Sequence, residues 1–227
     1  LIKMQDQPFE RLAIQFVPFL LAMVAHEYGH GWMAKRFGDR TAENAGRLTM
    51  NPWPHIDILG TLILPVLNML SPSAFMFGWA KPVPIDPRNF KRLRPGLFLV
   101  AFAGPGVNLL LAVISAFAWA ALGRPSMQEF ALTEGLRAMA IASVPLNFSL
   151  ALFNLLPMPP LDGGRMIESI LPSRWAGRFE NLSRFSLVLL VVLFMSGALK
   201  FLGGPIRDAS LLSLGVAQLL VGGPLSQ

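Results

Sequence analysis

The sequence predicts an all-α polytopic membrane protein. It has about five transmembrane helices, and a membrane-embedded re-entrant hairpin with a short β segment lies between the first long helix and the central one. Three observations predict it. Hydrophobic residues make up 53% of the 227 and charged residues 14%, with a mean hydropathy of +0.53, outside the range of soluble domains. Four stretches, 12–37, 97–123, 138–156 and 183–202, have about the 20 residues that a helix needs to cross a bilayer. The basic residues behind the net charge of +6 gather in loops flanking these stretches, where anionic lipid favours them, so the charge does not imply nucleic acid.

The first stretch opens with the uncharged run LAIQFVPFLLAMVA and runs into HEYGH at 26–30. Residues four apart share a helix face one turn from each other, so His26 and His30 aim two imidazoles at one point, with Glu27 beside it. Ionisable groups inside an apolar segment are costly and mark function; the alternative is that both histidines bond helix carbonyls. Three histidines and seven glutamates in 227 residues yield HExxH by chance with odds on the order of one in a thousand.

Residues 56–79 come next. The run ILGTLILPVLNML is too short for an ordinary span, SPS at 71–73 interrupts it, and the prolines of AFMFGWAKPVPI suit an extended edge strand. The central stretch 97–123 has no ionisable residue, and 138–156 is closed by PMPPLDGG. A fifth apolar stretch, 209–221, is short enough to cross a thin region or lie in the interface. We expect one domain over 1–227, with a core at 12–165 and C-terminal helices at 166–227. The chain starts at Leu1 without methionine and has no signal-peptide cleavage pattern, so a short stretch is expected to have been trimmed or left out.

Cysteine is absent, which excludes a disulfide framework and leaves nitrogen and oxygen as metal ligands. A catalytic zinc takes three protein ligands and keeps a fourth position for water. His26 and His30 supply two. Asp162 is the best third: Pro157, Pro159 and Pro160 break the helix before it, and Gly163 and Gly164 let the backbone turn its carboxylate inward. The alternative is that Asp162 caps a helix continuing through GGRMIESIL. One zinc per chain is expected. Glu27 points off the ligand face, so it can take a proton from water at the metal and hand it to a leaving amine, which is peptide hydrolysis.

Parity constrains the topology. For Asp162 to meet the two histidines, the helices that carry the two motifs must end on one side of the membrane, and a full crossing by 56–79 would separate them. A re-entrant hairpin keeps them together. It also puts 13 of the 19 basic residues on the motif side, against a flatter 11 and 8 for a full crossing, and so assigns that side to the cytoplasm.

HEYGH, GRLTMNPWPHIDILGTLILP at 46–65, GWAKPVPI at 78–85, AGPGVN at 103–108 and NLLPMPPLDGGR at 154–165 follow one another along the chain. In these motifs the chain resembles the site-2 protease family of intramembrane zinc metalloproteases, specifically its compact members without PDZ or CBS domains. The resemblance implies that His26, His30 and Asp162 hold zinc, that Glu27 is the catalytic carboxylate, and that Asn154 hydrogen-bonds the scissile carbonyl or its oxyanion. Gly104 and Asn108 match a small-residue motif that serves either close helix packing or substrate contact. Lys81, Val83 and Ile85 lie in what is either an edge that pairs with an unwound substrate or a plain connecting loop. His55 matches a segment in which it reads as a polar loop anchor, not a ligand. Many members carry a helix before the one bearing HExxH; with about ten residues there, this chain is either of a minimal subgroup or truncated.

The implied function is an intramembrane zinc endopeptidase in the prokaryotic plasma membrane. Its partners are the lipid bilayer and a membrane-protein or signal-peptide-derived substrate helix. The alternative, a non-catalytic metal-binding membrane chaperone or binding protein, is opposed by the intact Glu27. A metal transporter would show ionisable residues along a path through the membrane, and 97–123 has none.

Overall fold

A computed structural model describes residues 8–70, 78–127, 130–172, 174–175, 179 and 184–222. Helix α1 (Pro8–Arg36) carries HEYGH near its end and closes on Lys35 and Arg36, cations suited to a helix C-terminus. The short α2 (Thr41–Asn44), a 3₁₀ turn at Trp53–His55 and a π-helical turn at Ile58–Ile63 lead into α3 (Leu64–Leu70). Where the description resumes, residues 78–86 are extended, a 3₁₀ turn follows at Pro87–Asn89, and the central helix is α4 (Leu93–Leu122). After it come α5 (Thr133–Asn154), α6 (Asp162–Ile170), α7 (Ser186–Met195) and α8 (Gly203–Leu220).

Helix α4 packs on α1, α5, α6 and α8. Its buried face repeats small residues every fourth position, Gly104, Asn108, Ala112, Ala116 and Ala120, a spacing that lets neighbouring backbones approach. Ala112, Ala116 and Ala120 form one core with Val144 and Phe148 of α5 and Ala217 of α8. Bonds from α1 to α4 (His30 to Val100, His26 to Asn108) and from α4 to α5 (Asn108 to Asn147, Ser115 to Ser143) run in opposite chain senses, so each pair is antiparallel. Just past α4, Arg124 Nε donates to the Val221 carbonyl just past α8 at 2.6 Å, so those two helices end together. Large apolar side chains point outward: Ile58 is 71%, Leu212 70% and Leu219 86% exposed. A small-residue interior inside a large apolar exterior is the arrangement of a bundle whose solvent is lipid.

Among the described residues, two helices, α4 and α5, are long and apolar enough to cross a membrane by length and composition. Helix α1 is as long, but its apolar stretch holds His26, Glu27 and His30.

Three expectations need correction. The stretch 183–202 is not one helix: α7 stops at Met195, Gly197 turns left-handed at φ 69°, and a 3₁₀ turn over Ala198–Leu202 follows. Helix α8 begins at Gly203, six residues before the expected 209. The short β segment is also not seen, since no strand occurs among the described residues; residues 78–86 are extended, but no second strand lies beside them to make a ladder.

The hairpin expectation covers 56–79, of which 71–77, including SPS, lie outside the described residues. Its two ends lie side by side. Trp79 N–H donates to the Gly60 carbonyl (3.1 Å), and the Thr61 hydroxyl donates to the Trp79 carbonyl (2.8 Å), so the chain returns to the level at which it left. The Asp57 carboxylate caps the π-helical turn by accepting Gly60 N–H at 2.8 Å.

Candidate metal centre

The late turns of α1, the start of α6 and the middle of α4 build one site. His26 Nε2 and His30 Nε2 lie 3.0 Å apart, and Asp162 Oδ2 lies 3.2 and 3.3 Å from them. His30 Nδ1–H donates to the Val100 carbonyl at 2.7 Å; a carbonyl only accepts, so the proton is on Nδ1 and Nε2 presents a lone pair. His26 Nδ1 meets Asn108 Oδ1 at 2.6 Å, which gives His26 the same tautomer. Two lone pairs and a carboxylate oxygen therefore converge with no proton of their own among them.

That donor set fits a zinc ion. Bonds of about 2.0–2.1 Å in a tetrahedral site set ligand atoms roughly 3.3 Å apart, close to the three separations here. Among the described residues, His26, His30 and Asp162 are the group of three that could hold a metal. Asp162 is the first residue of α6, and Leu161, at the capping position, provides no side-chain cap; the Asp162 carboxylate is turned to the imidazoles instead of capping the helix.

Gly104 explains how closely α4 can lie behind the two imidazoles. A Cβ built there would fall 2.6 Å from His26 Nε2 and would also overlap His30 Nε2. Asn108, one turn on, is wholly buried and bonds His26, the Ala22 carbonyl and Asn147. Of the roles left open by the sequence, both residues thus sit behind the imidazoles. Asn147 and Ser143, which the sequence reading passed over, continue the buried hydrogen-bonding from Asn108; a polar residue in mid-span was the available signal.

Glu27 lines a cavity of about 320 Å³ with His26, Met23, Trp79, Asn154 and Leu161. Its Oε2 accepts the Val83 N–H at 2.8 Å, so the extended segment fixes the carboxylate. Asn154 faces the same cavity from the end of α5, and its amide donates to the Leu150 carbonyl one turn back at 3.0 Å.

The extended segment is clamped along its length. Lys81 N–H donates to the His55 carbonyl at 2.9 Å, and Arg47 donates to the Lys81 and Pro82 carbonyls at 2.7 and 3.2 Å. The N–H groups of Lys81 and Val83 are thus already committed, and pairing a substrate through them requires exchange of those partners. Beyond Ile85, Asp86 N–H donates to Asp39. His55 is buried, donates from Nε2 to the Thr49 carbonyl at 3.0 Å, holds Lys81 through its own carbonyl, and is not part of the candidate metal group. Burial pushes its imidazole below the usual histidine range.

A helical bundle with an apolar exterior, in which HExxH and Asp162 form a candidate metal triad, fits the class of membrane metallopeptidases. Comparison with known proteins gives the family: the chain belongs to peptidase family M50, the site-2 protease type, and is a zinc metalloprotease. The model of Peptidase family M50 matches residues 89–198. The chain is 34% identical to the "Putative zinc metalloprotease YwhC" of Bacillus subtilis over 203 residues, covering 89% of each protein. It is 31% identical to the "Putative zinc metalloprotease Rip2" of Mycobacterium tuberculosis and 29% identical to that of Mycolicibacterium smegmatis, each over 80% of this chain and 66% of the relative. No solved structure matches the chain.

Proposed function

We propose that this protein is an intramembrane endopeptidase that cuts peptide bonds within transmembrane or signal-peptide-derived helices, with His26, His30 and Asp162 as its zinc ligands. The observation that carries the ligand assignment is the convergence of three acceptor atoms within 3.0–3.3 Å, with His30 Nδ1 tied to a carbonyl and His26 Nδ1 to Asn108. Bound there, zinc supplies Lewis acidity toward water and a substrate carbonyl. Glu27 is the general base: it shares the cavity with His26, and its carboxylate, oriented by Val83 N–H, takes the proton of water and delivers it to the leaving nitrogen. Asn154 turns its amide toward the substrate carbonyl when the cavity is filled, giving up its bond within α5.

The same reading sets the protein in the bilayer. Helices α1, α4, α5 and α8 cross; α7, with ten residues and a length of about 15 Å, is embedded beside them, and 58–79 is re-entrant. The basic residues favour the motif side as cytoplasmic. Helices α4 and α8 pack together, which supports one peptidase unit that includes the C-terminal helices. Purified protein incubated with a membrane-spanning peptide should yield products by mass spectrometry, and Glu27→Gln should yield none while keeping its zinc. Equal hydrolysis by Glu27→Gln would remove Glu27 as the base.

A further inference from the structure

We propose that Asn147 is a positioning residue: acting through Asn108, it holds His26 in the tautomer that turns the Nε2 lone pair to the metal. The inference rests on the reading of His26 as a zinc ligand. It follows from hydrogen-bond direction. The Ser143 carbonyl can only accept, so the group of Asn147 that lies 2.9 Å from it is the NH₂. That leaves Asn147 Oδ1 facing Asn108 at 2.9 Å, where only the Asn108 NH₂ can meet it. The same NH₂ lies 3.2 Å from the Ala22 carbonyl, a second acceptor of fixed sense. Asn108 must then present Oδ1 to His26 Nδ1, 2.6 Å away, which requires the proton on Nδ1 and frees Nε2.

Both amides are wholly buried, so water cannot substitute for a lost partner, and reversing either would set oxygen against oxygen. Ser143 Oγ also accepts from Asn147 at 2.9 Å, and from Ser115 at 2.9 Å, but the backbone carbonyl alone fixes the direction. A ligand imidazole held by its second nitrogen is the usual means of fixing ring orientation; here the hold extends one residue further, to another helix.

A bond between α4 and α5 that only glues helices would affect stability, not the metal. The test measures zinc affinity by chelator competition, together with the absorption spectrum of the cobalt-substituted protein. Asn108→Leu should weaken zinc binding about ten- to a hundredfold, and Asn147→Leu and Asn147→Ala each about tenfold, with a changed cobalt spectrum. Leucine fills the site and alanine leaves a gap, so equal losses isolate the amide from packing; if the leucine variant fails to fold, the alanine variant decides. The double variant Asn108→Leu/Asn147→Leu should bind no more weakly than Asn108→Leu, because the relay is already cut. Ser143→Ala keeps the carbonyl and should stay within about twofold. Unchanged zinc affinity and cobalt spectrum in both Asn147 variants, or losses that multiply in the double variant, would overturn the proposal. In the same series His26→Ala must lose zinc; if it does not, the ligand reading has failed and not the relay alone.

Discussion

At the residue scale, the candidate ligand atoms follow from spacing and chain chemistry. HExxH fixes two imidazoles on one helix face, and the proline-broken, glycine-followed Asp162 brings its carboxylate to within 3.3 Å of both. His26→Ala, His30→Ala and Asp162→Ala should each lower zinc content by elemental analysis, and undiminished zinc in Asp162→Ala would reject it as the third ligand. Gly104→Ala should do the same from outside the ligand set, weakening zinc binding about tenfold or more, because its Cβ would occupy the space of both Nε2 atoms. Asn154→Ala should keep zinc and fold while turnover falls on the order of a hundredfold, with a smaller effect on substrate binding. Near-normal turnover would leave Asn154 as a residue that bonds only its own helix. Sequence could not read the roles of Gly104, Asn108 and Asn147, because each depends on which side chain of another helix it meets, and motif spacing within one segment is silent on that.

At the element scale, the long helices were legible because an apolar run of about 20 residues has few other solutions. Helices α4 and α5 begin four and five residues before the expected 97 and 138. The run over 183–202 misled because hydropathy averages across Ser196 and Gly197, where the chain turns after the helix ends at Met195. Its left-handed φ predicts that Gly197→Ala costs about 1 kcal/mol in a denaturation measurement. The extended segment was legible as proline-rich and non-helical; what it pairs with was not. Its far end is held by Asp39, buried between α1 and α2. Burial alone would raise the Asp39 carboxyl, but donors from Thr41, Asn89 and Asp86 outweigh it and hold the group below the ordinary carboxylate range. A carboxyl depressed by folding stabilises above its unfolded value, near 3.8, and that contribution is lost as pH falls through the lower folded value. Asp39→Asn should therefore remove part of the acid limb of stability, seen as a shallower pH dependence of unfolding below about pH 4; an unchanged acid limb would show that Asp39 does not hold the clasp. The hairpin is tested by single cysteines in this cysteine-free chain: Arg47→Cys and Asp86→Cys should label from the cytoplasmic side and Arg124→Cys from the other. Labelling of Arg47→Cys and Asp86→Cys from opposite sides would make the segment a true crossing.

At the scale of the whole molecule, composition called for lipid as solvent, and among the described residues α4 and α5 are long and apolar enough to cross a membrane, with many leucine, isoleucine and valine side chains exposed. The candidate metal triad lies among packed helices, beside a cavity of about 320 Å³. A substrate helix has its carbonyls bonded and shielded, so hydrolysis there requires local unwinding, and helix-breaking residues in the substrate should speed cleavage. The most direct measurement is the position of the cut. A peptide with one membrane-spanning segment, reconstituted with the protein in lipid and analysed by mass spectrometry, should be cleaved inside its apolar stretch and left intact by Glu27→Gln. Cleavage confined to the flanking polar residues, or the same products from Glu27→Gln, would contradict intramembrane hydrolysis at this site.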